Sequence, residues 1–158
     1  MSTIWAISDI HLPGISNITM DKYGDIWKNH EKVIFDNVTK LCKKDDLLLI
    51  PGDISWAKNI EEAKNDFEYL SRLPCRVLMC SGNHDQWSKV SRETIEKALP
   101  TNVTWINDIC FRIGNVAVVG CCFWEFLNVY PWPNHYGIDC NRKKMQRQAR
   151  IDFDKALK

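Results

Sequence analysis

The stretch RVLMCSGNHDQW, Arg76–Trp87, joins a short apolar run to a turn that carries chemically active side chains. RVLMC has the length and the apolar character of a buried strand. Gly82 and Asn83 suit a tight turn, because both residue types tolerate positive φ. A turn alone does not require the imidazole of His84 or the carboxylate of Asp85. The stretch therefore predicts a strand that ends in functional groups.

Upstream of this stretch, the chain alternates apolar runs with helical patterns. Thr3–Ile7 and Asp46–Ile50 are predicted strands, and a weaker helix is predicted from about Ser88 to Ala98. The β-α-β-α-β-α order predicts parallel strands with right-handed crossovers. Apolar residues that recur at steps of three or four predict the other two helices. These residues are Trp27, His30, Ile34, Val38 and Leu41 in the first helix, and Ile60, Ala63, Phe67 and Leu70 in the second.

The pattern changes after Pro100. VTWI, CFRI and VAVVG are separated only by ND and GN, which are turn signals typical of antiparallel hairpins. We therefore expect an α/β fold in which a parallel β-α-β-α-β portion precedes three antiparallel strands. A loop rich in aromatic residues and prolines follows, and then a basic helix from about Asn141. At 158 residues, the chain is expected to form a single domain over residues 1–158.

Composition limits the partners and the location of the protein. With 21 basic and 20 acidic residues, the formal charge of +1 gives no general attraction to nucleic acid or to an anionic membrane. The seven cysteines show no C-x-x-C spacing, which favours reduced thiols in a cytoplasmic protein. The amino terminus lacks a secretory leader pattern, and no apolar run reaches the length of a membrane span. We therefore expect a cytoplasmic protein without a membrane partner.

All three predicted parallel strands end in polar side chains that could bind a cation. These are Asp9 and His11 in SDIH, Asp53 in PGD, and Asn83 in SGNHD. Groups just beyond the carboxyl ends of parallel strands project into one crevice. The glycines that precede Asp53 and Asn83 allow sharp exits from the strands. The carboxylate of Asp53 could contact two cations, and a pair about 3.5 to 4 Å apart can clamp a phosphoryl group.

DIH, GD and GNHD, in this order and each after a strand, resemble the first three motifs of the calcineurin-like metallophosphoesterase superfamily. The resemblance covers roughly Met1–Trp87 directly and implies an α/β/β/α sandwich. It implies a site with two divalent metal ions. Asp9 and His11 would bind the first ion, Asp53 would bridge the two, and Asn83 would bind the second.

The same resemblance implies a chemistry. The protein would be a metal-dependent phosphohydrolase, acting on a phosphomonoester or a phosphodiester through metal-bound hydroxide. His84 would donate a proton or stabilise the transition state, and Asp85 would hold its imidazole. The mixed ligands favour Mn²⁺, with Fe or Zn²⁺ as alternatives. GDISWA and MDKYGDIWKNH resemble a bacterial group of predicted phosphohydrolases rather than the protein Ser/Thr phosphatases.

The chain also departs from the family pattern. No GH pair occurs in it, and His135 is the one histidine after His84. The fold is therefore expected to be incomplete at the C-terminus, truncated relative to the family, with one metal ion or none bound. This leaves a second hypothesis, an impaired family member that keeps a weak metal site and acts as a binding protein. Self-association through an exposed sheet edge fits that hypothesis.

Several other features are open to two interpretations. A nuclease is a further alternative, but the near-neutral net charge argues against a nucleic-acid substrate. The basic run from Arg142 to Arg150 could contact a phosphate-rich partner, but it is better interpreted as a solvated helix face. Trp56 and Trp87 each follow a candidate ligand, so they could line a cleft or pack in the core. His30 fits the apolar face of the first helix and is predicted to be structural.

Overall fold

A computed structural model describes residues 2–15 and 18–120 of the chain. The chain divides into two compact units, Met1–Trp105 and Ile106–Lys158. Among the described residues, the first unit contains a four-stranded sheet and the second a two-stranded sheet. The predicted aromatic loop, His135 and the basic helix lie outside the described residues. The prediction of one domain, truncated relative to its family, stays a prediction.

The sheet of the first unit is parallel, with the strand order β1-β2-β3-β4. Each successive strand is added on the same side, and right-handed crossovers of that kind place their helices on one face of the sheet. The strands are β1 (Ile4–Ala6), β2 (Leu47–Pro51), β3 (Arg76–Cys80) and β4 (Val103–Trp105). The crossover helices are α1 (His30–Leu41), α2 (Ile60–Ser71) and α3 (Arg92–Ala98).

The register of the sheet explains where the core lies. Residues aligned across parallel strands point to the same face. One aligned row faces the helices and packs in the core with Phe67 and Leu70 of α2. This row is Trp5, Leu48, Val77 and Val103.

The prediction for VTWI is wrong. β4 pairs in parallel with β3, with Val103 opposite Val77. Among the described residues it is therefore the last strand of the parallel sheet and not the first strand of an antiparallel one. The reason is α3, which connects β3 to β4 as a crossover helix. This helix begins at Ser91, whose side chain accepts a hydrogen bond from the Thr94 N–H. A parallel neighbour needs a crossover connection of this kind, whereas an antiparallel hairpin does not.

The other two antiparallel strands are confirmed. In the second unit, β5 (Ile109–Ile113) pairs in antiparallel fashion with β6 (Val116–Gly120). Gly114 in the intervening turn has φ +58°, a conformation that glycine adopts without steric cost. The mixed α/β class, with parallel strands followed by an antiparallel pair, is therefore confirmed.

The helix predictions hold with shifted boundaries. Trp27 lies in a 3₁₀ turn, Asp25–Trp27, before α1 rather than on it. The predicted helix from about Ser88 is shorter, because Gln86–Ser88 forms a separate 3₁₀ turn. α2 begins where the Asn59 side chain accepts a hydrogen bond from the backbone N–H of Glu62. Within residues 2–15 and 18–120, no helix has the length and apolar character needed to cross a membrane.

Candidate metal centre

The carboxyl ends of β1 and β2 continue side by side beyond the sheet. The N–H of Asp9 donates to the carbonyl oxygen of Gly52 at 3.1 Å, and the N–H of His11 donates to the carbonyl oxygen of Asp53 at 3.0 Å. These two hydrogen bonds fix the loop after β1 against the loop after β2. The backbone therefore brings Asp9, His11 and Asp53 to one place, as expected from the strand order.

The side chains of these residues form a cluster of cation size. One ligand atom each from Asp9, His11 and Asp53 lies within 4.8 Å of the other two. Metal–ligand distances of about 2.0 to 2.3 Å separate two ligands on opposite sides of one ion by up to about 4.6 Å. The donor set therefore fits a single divalent cation after small side-chain adjustments. His11 and Asp53 are buried and Asp9 is exposed, so solvent reaches the cluster at Asp9.

The three clustered residues have strained backbones. Asp9, His11 and Asp53 have φ values of 56°, 42° and 51°, in the left-handed region that L-residues rarely adopt. Such strain persists only where the surrounding structure imposes it, and it concentrates at active and ligand-binding sites. Asn29 and Asp108, outside the cluster, also have positive φ, so what distinguishes the cluster is that three such residues meet at one place.

Asp53 lies between the other two loops. Its Oδ1 accepts a hydrogen bond from the backbone N–H of His84 at 2.9 Å. Its Oδ2 lies 4.0 Å from Nε2 of His11. Asn83 is exposed and stands between Gly82 and His84, both of which contact Asp53. The predicted second-metal residue therefore lies at the same strand ends as the cluster.

Two glycines allow this close approach. A Cβ at Gly82 would lie 2.1 Å from Oδ1 of Asp53 and 2.5 Å from its backbone nitrogen. A Cβ at Gly52, where φ is +103°, would lie 2.7 Å from the backbone nitrogen of Gly82. The loops after β2 and β3 can meet only where neither residue has a side chain.

Gly82→Ala is therefore expected to lower the free energy of unfolding by about 1 to 3 kcal/mol, because overpacking displaces Asp53. Urea denaturation would measure the loss of free energy of unfolding, and Mn²⁺ titration would show whether displacement of Asp53 weakens metal binding. Gly114→Ala is a control without crowding, since nothing lies within 4 Å of its Cβ position. The control should lose only about 1 kcal/mol from its positive φ and keep its Mn²⁺ affinity. A Gly82→Ala variant with the stability and Mn²⁺ affinity of the wild type would contradict this description of the site.

His11 is in a suitable state to bind a metal ion. Its ring stacks on Trp56 with centroids 4.6 Å apart and planes at 16°. Burial lowers the pKa of His11, although the negative charge of Asp53 opposes the effect. Its Nδ1 is buried and has no hydrogen-bond partner among the described residues. A neutral ring with a buried, unpartnered nitrogen fits a metal ligand better than a structural ion pair.

The two tryptophans near the candidate ligands have different positions. Trp56 is half-buried and contacts the rings of His11 and His84, with its centroid 4.7 Å from that of His84. Trp87 is fully buried and packs against Phe67 at 5.0 Å and against Trp105 at 5.3 Å. Trp56 therefore lines the site, whereas Trp87 belongs to the core.

Asp85 has different partners from those implied by the resemblance. Its side chain is almost completely buried, with 2% of the residue exposed, and burial raises its pKa to about 6. None of its hydrogen bonds in the described structure goes to the ring of His84. Its donors are the backbone N–H groups of Ile54, Ser55 and Gly82, at 2.9, 3.0 and 2.8 Å, and the indole N–H of Trp87 at 3.0 Å. Asp85 therefore joins the loops after β2 and β3, and a catalytic role for it stays a prediction.

Sequence analysis did not identify Asp66. This buried carboxylate of α2 accepts hydrogen bonds from the Ser55 hydroxyl and from the Gly14 N–H, the latter at 3.0 Å. Burial raises its pKa. Asp66 thus fastens both site loops to the helix layer. The available signal was its spacing, three residues after Ala63, which puts a carboxylate on the buried face of the helix.

An α/β fold with two carboxylates and an imidazole converging at its strand ends defines a candidate metallohydrolase. The calcineurin-like phosphoesterase family model matches residues 2–156, so the chain belongs to that family. This confirms the resemblance seen in the sequence.

The proteins that are similar to the chain include one curated relative and one solved structure. One, from Coxiella burnetii (strain RSA 493 / Nine Mile phase I), is named a probable cyclic nucleotide phosphodiesterase. It is 30% identical over 117 residues, which cover 72% of this chain and 45% of that protein. The matching region thus spans less than half of the relative. The other is a crystal structure of a protein of unknown function from Aquifex aeolicus, with a TM-score of 0.51 at 22% identity, covering 98% of this chain and 74% of that one. This similarity supports the fold.

Proposed function

We propose that the chain is a metal-dependent phosphohydrolase with a dinuclear centre at the ends of β1, β2 and β3. The observation that carries this proposal is the cluster of Asp9, His11 and Asp53, whose ligand atoms lie within 4.8 Å of one another. Family membership supports phosphate esters as substrates.

The residues would divide between two ions. Asp9 and His11 would hold the first, Asn83 the second, and Asp53 would contact both, since a carboxylate has about four lone-pair sites. Bound divalent ions polarise the phosphoryl oxygens and lower the pKa of a bound water, which makes hydroxide available near neutral pH. Mixed oxygen and imidazole ligands favour Mn²⁺ first, with Fe or Zn²⁺ as alternatives.

His84 would act on the leaving group. Its ring lies against Trp56 and 5.5 Å, centroid to centroid, from the ring of His11, while its backbone N–H is fixed on Asp53. An imidazole held beside the candidate ligands can donate a proton to the departing oxygen or stabilise the charge that develops on phosphorus-bound oxygens. His84 and Asp85 thus stay the proposed catalytic pair, with Asp85 acting through the loop that carries His84.

The name of the Coxiella relative favours a phosphodiester as the substrate. The cytoplasmic location, self-association and absence of a nucleic-acid partner stay predictions from the sequence.

Metal content and hydrolysis together test the proposal. The protein should contain at least one divalent ion per chain and hydrolyse bis(p-nitrophenyl) phosphate. EDTA should abolish the activity and Mn²⁺ should restore it. A parallel assay with p-nitrophenyl phosphate separates phosphodiesterase from phosphomonoesterase activity. Fewer than one ion per chain and no turnover with added Mn²⁺ would instead support the binding-protein hypothesis.

A further inference from the structure

His30 contacts the backbone between two candidate metal ligands. It is the first residue of α1, and 7% of it is exposed. Its Nε2 lies 2.9 Å from the carbonyl oxygen of Ile10 and 3.3 Å from that of His11. We infer that His30 is a positioning residue for the metal centre, because it holds the strained turn that carries Asp9 and His11. This inference rests on the proposed function.

The chemistry of this contact fixes its direction. A carbonyl oxygen can only accept a hydrogen bond, so Nε2 of His30 carries the proton and donates it. Ile10 lies directly between Asp9 and His11, both of which have positive φ. The donor therefore contacts the turn at the Ile10–His11 peptide, between the two ligands.

The turn is thus held from two sides. The N–H groups of Asp9 and His11 donate to the loop after β2, at Gly52 and Asp53. The neighbouring carbonyl oxygens accept from His30 on α1. Residues other than glycine adopt positive φ at a cost in free energy, so this turn needs such external support.

His30 is itself held in place. Its ring meets the ring of Trp27 edge-on at 5.9 Å. Its Nδ1 lies 3.0 Å from Oε2 of Glu31, although the geometry is not that of a hydrogen bond. The carbonyl oxygen of Glu31 accepts a hydrogen bond from the Tyr69 hydroxyl at 2.6 Å, which anchors this turn of α1 to α2. His30 can therefore transmit the position of the helix to the metal ligands.

The test compares His30→Leu with His30→Gln. Leu removes the donor, whereas the Gln amide can place an N–H near the position of Nε2. Loss of a group that orients metal ligands typically weakens metal binding by about 10- to 100-fold, and we expect this loss in the Kd of His30→Leu for Mn²⁺. His30→Gln should restore most of the affinity. Amide hydrogen exchange of the metal-free protein should show lost protection at Asp9 and His11 in His30→Leu and recovered protection in His30→Gln.

Val38→Ala is the matched control, because Val38 is a buried core residue of the same helix, about two turns away from His30 and outside the contacts that hold the site loop. It should lower stability while leaving Mn²⁺ affinity and both amides unchanged. Wild-type protection of the two amides in His30→Leu, or equal behaviour of the Leu and Gln variants, would overturn the inference. If the wild type binds no Mn²⁺, the proposed function fails, but amide exchange in the metal-free protein still decides the role of His30.

Discussion

Asp53→Asn is expected to lower the Mn²⁺-dependent hydrolysis of bis(p-nitrophenyl) phosphate by about 10³-fold, with loss of bound metal. Lewis-acid stabilisation contributes several kcal/mol, and about 4 kcal/mol corresponds to a factor of 10³ in rate. Asp53 lies on the loop after β2 and contacts the other two loops. Its carbonyl oxygen accepts from the His11 N–H, its Oδ1 accepts from the His84 N–H, and it lies against Gly82. Asn keeps an oxygen that can accept the His84 N–H but loses the negative charge. The fold should therefore persist while metal binding fails.

Asp36→Asn is the matched control for this substitution. Asp36 is an exposed carboxylate of α1 that pairs with Lys32 at 2.5 Å. Exposed ion pairs contribute only about 0 to 1 kcal/mol, so the control should keep the stability, metal content and rate of the wild type. Metal content per chain and kcat/KM should be measured for both variants. An Asp53→Asn variant with normal metal content and rate would show that the cluster is not the catalytic centre.

Asp85→Ala is expected to lower the free energy of unfolding by about 3 to 5 kcal/mol. Its carboxylate is buried and accepts from the backbone N–H groups of Ile54, Ser55 and Gly82 and from the Trp87 indole. Alanine would leave these donors without their acceptor. Each buried, unsatisfied donor costs about 1 to 3 kcal/mol, although relaxation and water reduce the sum. Guanidinium denaturation monitored by tryptophan fluorescence would measure the change.

Asp45→Ala provides the comparison, since Asp45 is an exposed turn residue near the start of β2. Substitutions at such positions usually change stability by less than about 0.5 kcal/mol. The loss of stability in Asp85→Asn should fall between those of Asp85→Ala and Asp45→Ala. Its amide oxygen can still accept hydrogen bonds, but its NH₂ group cannot accept from the remaining donors. A stable Asp85→Ala variant that loses only activity would instead support the role implied by the family resemblance, support of the His84 ring.

Much of the fold could be predicted from local sequence patterns. RVLMC matches β3 without a boundary error, and the apolar spacing of Ile60, Ala63, Phe67 and Leu70 marks α2 correctly. These patterns work because strand and helix periodicities are local. The direction of β4 could not be predicted, because the residue pattern of VTWI fits a parallel and an antiparallel strand equally well. The crossover helix α3 is the feature that favours the parallel arrangement.

The candidate site shows a similar division. The order of DIH, GD and GNHD was enough to expect that Asp9, His11 and Asp53 would meet, since strand ends in a parallel sheet lie together. The hydrogen bonds of Asp85 and the contact of His30 with Ile10 could not be predicted, because they join residues distant in the chain. The left-handed backbone of the ligands was also hidden, although Asp and His are among the residues that tolerate it best.

Anomalous diffraction from crystals grown with Mn²⁺ would show whether the strand ends bind metal. We expect an anomalous peak within about 2.5 Å of side-chain ligand atoms of Asp9, His11 and Asp53. A second peak that shares Asp53 would also establish the dinuclear centre. Saturating Mn²⁺ with no peak at these residues, or with a peak only elsewhere, would show that Asp9, His11 and Asp53 do not form a metal centre.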